Sequence, residues 1–178
     1  MLPIVQVGDP VLRAIAEPVA VADLPALAPL IVEMRDTMRA APGVGLAAPQ
    51  IGRSIAIAVI EDVAQHHAAV SPEQRAARER SAVPFHVLVN PTLTPIGDEV
   101  VEAYEGCLSF RGFVMLVRRW RSVRVEAVDE HGAPIVIEAS GWYARILQHE
   151  IDHLNGIVCC DRMSPRSLAT SENHAKYD

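Results

Sequence analysis

The 178-residue sequence is short of several things. No apolar run approaches the ~18 residues that a membrane-spanning helix needs, so no span is expected. Positive charge is concentrated nowhere: 16 Lys and Arg stand against 22 Asp and Glu, a formal net charge of −6, which argues against tracking a nucleic-acid backbone. Cys107, Cys159 and Cys160 form an odd set without disulfide spacing, which suits a reducing compartment. Met1-Leu2-Pro3 opens straight into folded-looking sequence. It has neither the basic-then-apolar start of a secretory leader nor an Arg/Ser-rich transit character, so the expected location is the cytoplasm. No internal repeat is present. Half the residues are hydrophobic and 21% are charged, an ordinary globular composition. One domain over 1–178, large enough to bury a real core, is expected.

What is there centres on His149-Glu150-Ile151-Asp152-His153. At about 100° per residue, two histidines four apart lie within about 40° of each other on one helical face. Two imidazoles one turn apart hold a divalent metal, and the carboxylate between them reaches an activated water. Ser140 is the expected N-cap, and Asn155-Gly156 the expected stop. Trp142 and Ile146 share the histidine face, while Ala144, Leu147, Ile151 and Leu154 make a second apolar face. Arg145, Gln148 and Asp152 form the polar edge. A helix apolar on most sides is buried, which puts both histidines inside. The alternative, a chance histidine pair on a solvated helix, is disfavoured, because buried imidazoles need partners and Glu150 would otherwise be an unpaired buried charge.

The rest of the chain frames that helix. Asp9-Pro10 starts a short helix, and Asp23 caps a clearer one in which Leu24, Leu27, Ile31, Met34 and Met38 recur at helical spacing until Pro42. Gly43-Val44-Gly45-Leu46-Ala47-Ala48-Pro49-Gln50 follows; its glycines permit close backbone approach to a ligand, or simply a tight connection to the strand Ile55–Ile60. Residues 61–82 read as a polar surface insertion with a short helix from Ser71-Pro72-Glu73. Strands are expected at His86–Val89, Leu93–Ile96 and Val100–Tyr104, and a hairpin joins Trp120–Asp129 to Pro134–Glu138. Cys159 and Cys160 are expected as small strand residues, and the tail after Asp161 as a loose surface segment.

A catalytic metal needs a third ligand and an open position. In Glu105-Gly106-Cys107-Leu108-Ser109 the cysteine closes a strand before a turn, where it can face a cleft; otherwise it is a small buried residue. Asp152 either pairs with Arg119 or Arg145 behind the histidines or is a plain surface carboxylate.

Three segments together, Gly43 to Gln50, Glu105 to Ser109 and Gln148 to His153, resemble peptide deformylase in order and separation. Val7-Gly8-Asp9-Pro10-Val11-Leu12-Arg13 looks like that family's start, and Ala139-Ser140-Gly141-Trp142 with Ala144-Arg145 resembles its type 1, organelle-like subclass. The resemblance implies an α+β domain of mainly antiparallel strands around the buried helix. It implies Cys107, His149 and His153 as ligands of one divalent metal: Fe(II) physiologically, with zinc, nickel or cobalt able to substitute. It implies Glu150 as proton carrier and the Gln50 side chain and Leu108 N–H as oxyanion donors. Val44, Gly45, Glu105, Gly106, Trp142 and Ile146 are the expected substrate-binding set. The implied substrate is an N-formylmethionyl nascent peptide, which brings transient ribosome association but no membrane and no direct nucleic-acid binding. Phe110-Arg111-Gly112-Phe113 departs from the commonest bacterial pattern at the cleft rim, and no amphipathic C-terminal helix for ribosome docking is expected. Two other readings share the helical motif: a zinc peptidase, which lacks an obvious downstream ligand, and a silent metal-stabilised binding module.

Overall fold

The computed structural model describes residues 1–41, 43–67 and 71–177, with backbone alone for 66 and 67. Five strands form one antiparallel sheet in the order β1 (Gly45–Ala47), β2 (Ile57–Asp62), β3 (Val83–Pro95), β6 (Ser122–Val128), β7 (Pro134–Ser140). A second sheet runs β4 (Val100–Cys107), β5 (Phe110–Trp120), β8 (Ala169–Thr170). The helices are α1 (Leu24–Ala40), α2 (Pro72–Ala77), α3 (Gly141–Leu154) and α4 (Ser171–Tyr177).

Strand periodicity places α1 and α3 on opposite faces of the larger sheet. Ile57, Val59, Val87 and Val89 point to the α1 side and bury Leu24, Ile31, Met34 and Met38. Ile60, Leu88, Val123 and Val125 point the other way and receive Ala144, Ile146, Leu147 and Ile151 of α3. The central strands are therefore apolar on both faces, and α3 is covered on one side by the sheet and on another by β4 and β5. This is the expected α+β architecture around a buried helix.

Several local expectations change. The two strands sought in His86–Ile96 are one, β3, with a register shift between Val89 and Thr92. Asn90 sits there at φ +51°, its amide bonded to both the N–H and the carbonyl of Val19. The first expected helix is a single 3-10 turn, Pro10–Arg13, and β2 runs later than Ile55–Ile60. Pro42, the expected stop of α1, lies outside the described residues. β5 was not legible in the sequence: it alternates inward Met115, Val117 and Arg119 with outward residues, and an inward arginine hides the pattern. The tail is not loose, since β8 pairs with β5 and α4 follows, so a short C-terminal helix does exist. Among the described residues no helix is long and apolar enough to cross a membrane.

Candidate active site

Helix α3 starts where Gly141 takes φ +59°; a Cβ there would meet the Arg78 carbonyl at 2.6 Å, so only glycine fits the approach. Ser140 occupies the N-cap position but makes no capping bond. Its hydroxyl donates to Glu79 Oε2 (3.1 Å), and the first two helical N–H groups go to the carbonyls of Arg121 and Arg78. The stop is as expected. Gly156 is left-handed at φ +71°, with Gly156 N–H donating to the His153 carbonyl and Ile157 N–H to that of Asp152.

The strand pair β4–β5 then brings Cys107 to this helix. The chain leaves β4 at Cys107, turns through Leu108-Ser109 and returns as β5. Cys107 Sγ lies 3.3 Å from His153 Nε2, and one donor atom from each of Cys107, His149 and His153 falls within 4.8 Å of the others. His149 Nδ1 is held by Glu105 Oε2 at 3.0 Å, which fixes the ring and turns Nε2 inward. The Cys107 sulfur receives the Ser109 N–H (3.4 Å) and Gln50 Nε2 (3.6 Å). Gln50 is itself anchored: its Oε1 accepts the Ala47 N–H (2.9 Å) and its Nε2 reaches Ser109 Oγ (3.3 Å). One soft sulfur and two imidazoles fit a divalent transition ion.

Glu150 lies against β1 so closely that a Cβ on Gly45 would sit 2.2 Å from its Oε1. Gly45 is thus required by the carboxylate beside it, a reason the sequence did not disclose. Glu150 Oε2 and His153 Nδ1 are buried without a protein partner. Such atoms need an explanation, and a water at an ion supplies one for Glu150.

The charges favour a cation. Burial lifts the Glu150 carboxyl to about 7, against the pull of His149 and Arg119. Burial lowers His149, yet the Glu105 hydrogen bond and the charges of Glu150 and Glu105 outweigh it and raise His149 to about 9. A pocket that holds a proton so firmly on His149 offers the same negative surroundings to a metal ion, and the two compete for one nitrogen. The Cys107 thiol is pushed up by its neighbour Cys159 and by burial, so a cation is what makes it a thiolate.

A cavity of about 540 Å³ opens onto this group. Val44, Gly45, Gln50, Glu105, Gly106, Cys107, Leu108, Trp142, Ile146, His149 and Glu150 line it, together with Arg80, Arg111 and Ser171. His153 alone of the expected site residues stands behind the wall, 1% exposed.

The polyanion-and-arginine cluster behind α3 was largely missed. Glu105, expected among the substrate-binding residues, uses both carboxylate oxygens on Arg119 (2.9 and 3.0 Å), Arg145 (2.6 Å) and His149. Burial would raise it, but bonds from His149 and Arg119 hold it well below the usual carboxylate range. Asp152 is no surface carboxylate: Arg119 and Arg162 both donate to it. Arg145, its other expected partner, instead serves Glu105 and the carbonyls of Val117 and Val101. Cys159 and Cys160 sit in a 3-10 turn, not a strand. The polar insertion contributes Arg80, paired with buried Asp62 at 2.8 and 2.9 Å and lying over the Trp142 ring at 5.3 Å, with Arg78 over the same ring at 5.0 Å. No spacing in the sequence signals these pairings.

The polypeptide deformylase profile matches residues 1–169. The chain belongs to that family. It is 51% identical over 171 residues to peptide deformylase 1 of Streptomyces coelicolor, covering 96% of this chain and 77% of the relative. It is 41% identical to the human mitochondrial peptide deformylase, covering 92% and 68% respectively, in line with the organelle-like subclass. Among solved structures, the class I type b peptide deformylase of Acinetobacter baumannii bound to Met-Ala-Ser superposes with a TM-score of 0.80 at 31% identity, covering 92% of this chain and 98% of that one.

Proposed function

We propose the following division of labour for the metal-dependent removal of the N-formyl group from formylmethionyl peptides, the reaction that membership of the family carries. Cys107, His149 and His153 would hold one divalent ion, which when bound would supply Lewis acidity to a water and to the formyl carbonyl. Sulfur with imidazole suits Fe(II), and zinc, nickel or cobalt fit the same donors. Glu150 takes the proton from the attacking water and delivers it to the departing amine; a carboxyl poised near 7 does both at neutral pH. The Gln50 amide and the Leu108 N–H donate to the oxyanion. Each well-placed donor contributes roughly 3 kcal/mol. Gln50 Nε2 is held only by long contacts to Ser109 and Cys107, so it is free to turn to substrate.

β1 is an edge strand, and the peptide adds to the sheet along Val44 and Gly45. Val44, Trp142 and Ile146 form the methionine pocket. The Met-Ala-Ser bound by the Acinetobacter relative begins with the residue such a pocket takes. Gly106 contributes its backbone at the cavity wall. Glu105 acts one step back, by orienting His149. The protein works in the cytoplasm on emerging chains. Its encounter with the ribosome is transient, because a net charge of −6 gives it no hold of its own on RNA.

The observation that carries this reading is the convergence of one thiol and two imidazoles within 4.8 Å beside a buried, unpartnered Glu150. Protein purified without oxygen should release formate from formyl-Met-Ala-Ser, leave internal peptide bonds intact, and lose at least ~10²-fold in kcat on Glu150→Ala. Internal cleavage without formate release would instead establish the peptidase reading. Unchanged formate release by Glu150→Ala would remove the proposed proton carrier.

A further inference from the structure

The polar insertion leaves one guanidinium half used at the cavity wall. Arg80 donates Nε and Nη2 to the two Asp62 oxygens (2.8 and 2.9 Å), a fork that fixes the plane of the group. Its other nitrogen, Nη1, makes no hydrogen bond among the described residues. Nor is Nη1 sealed without a partner, as Arg75 Nε and Trp142 Nε1 are, so it keeps accessible surface. The Arg80 side chain is only 8% exposed, and it lines the cavity in front of α3. Trp142 lines both this cavity and a neighbouring one of about 330 Å³. Arg78, 5.0 Å from the Trp142 ring, lines only the second; Arg80, 5.3 Å from the same ring, lines only the first.

We propose that Arg80 is a specificity residue that tells methionine from a hydrocarbon side chain, with Nη1 donating to the thioether sulfur. The inference rests on the methionine pocket proposed above, in which Val44, Trp142 and Ile146 are apolar and Arg80 is the polar end. Water satisfies such a donor until a bound side chain strips the water away. A buried donor left without an acceptor then costs more than a made bond returns. Methionine brings a weak acceptor on a polarisable sulfur. Norleucine, with a methylene in the same place, brings none. Asp62 makes the donor usable. Its carboxylate compensates a charge that would be costly beside an apolar chain, and its two bonds hold the guanidinium still.

The test compares formyl-Met-Ala-Ser with formyl-norleucyl-Ala-Ser on the nickel-loaded full chain, by formate release. Calorimetry compares the two unformylated peptides, which reads binding without turnover. Both kcat/KM and Kd should favour methionine by roughly 5- to 10-fold, less than a full charged hydrogen bond because the acceptor is weak. Arg80→Lys spends its one ammonium on Asp62 and should bring both ratios to about 1. Should that variant fail to fold, Arg80→Leu combined with Asp62→Leu removes the buried pair as a unit, a change that is often neutral for stability, and should give the same ratios. Arg78→Ala, which touches only the second cavity, should keep the parent ratios. Parent ratios near 1, or ratios unchanged in the Arg80 variants, would overturn the proposal. Absence of formate from either peptide would count against the division of labour proposed above, and the calorimetric ratio would still decide the role of Arg80.

Discussion

The two sides of α3 treat buried polarity in opposite ways. On the rear edge every group is matched. Gln148 closes on the backbone of Trp120 through both its amide atoms, at 2.9 and 2.8 Å. Asp152 and Glu105 share three arginines between them. On the front, Glu150 Oε2 has no protein partner, and Gln50 Nε2 has only long ones. A fold that can satisfy Asp152 so thoroughly is not short of donors. It withholds them from Glu150, and a buried group without partners is what a reacting proton requires. The rear edge gives rigidity, and the front carries the reactivity proposed for Glu150.

The largest break in this contrast comes from Glu150→Gln. It keeps the shape against Gly45 and removes the proton site. Formate release is expected to fall by about 10²–10⁴-fold. Stability should move the other way. Glu150 has its folded pKa raised from 4.5 to about 7, so above pH 4.5 the unfolded chain ionises more readily and the carboxylate destabilises the fold. Metal-free Glu150→Gln should therefore melt at or above the parent at pH 8, with the difference vanishing below pH 4.5. A lower melting temperature at pH 8 would mean that Glu150 has a stabilising partner after all. On the rear edge the signs reverse. Glu105→Gln leaves Arg119 and Arg145 undercompensated in the interior and should cost about 3–5 kcal/mol in denaturant unfolding. It should also weaken metal binding by roughly 10–100-fold, through the loosened His149 ring. Asp152→Asn retains one acceptor for two arginines, of which Arg162 is partly exposed, and should cost about 2 kcal/mol with little change in metal affinity. If Asp152→Asn weakened the metal as much as Glu105→Gln, the two carboxylates would not be separable as argued.

The front was far more legible in the sequence than the rear. His149, Glu150 and His153 stand at fixed helical spacing, and Cys107 and Gln50 lie in compact segments whose order is itself informative. The apolar stripe of α1 and the β6–β7 hairpin were readable for the same reason: each is a periodic pattern within one short window. The rear edge joins its arginines to partners 10 to 44 positions away, such as Arg162 with Asp152 and Arg145 with Val101. Nothing local distinguishes an arginine destined for such a partner from one facing water. Arg145, Gln148 and Asp152 were recognised as the polar edge of α3, but polarity on a helix says only that partners are needed. β5 was lost because Arg119 occupies an inward position where an apolar residue would have completed the alternation.

The smallest prediction concerns the start of α3, where sequence and structure disagree about one hydroxyl. A serine before a helix is worth about 1 kcal/mol when its oxygen accepts from the first turn. Ser140 stands in that place, yet its hydroxyl donates to Glu79, and the Gly141 and Trp142 N–H groups end on the carbonyls of Arg121 and Arg78 at 2.9 and 2.8 Å. Those carbonyls belong to the insertion and to the β5–β6 turn, so tertiary contacts have replaced the local cap. Ser140→Ala should therefore cost under about 0.5 kcal/mol, less than an ordinary cap. Asp9→Ala is the control: Asp9 Oδ1 accepts the Val11 N–H at 3.0 Å in the turn that buries Leu12, and its loss should cost about 1 kcal/mol. Equal losses from the two variants in matched urea titrations would show that the Ser140 bond to Glu79 holds the insertion against α3. The helix that carries His149 and His153 would then depend on the polar segment for more than its first two hydrogen bonds.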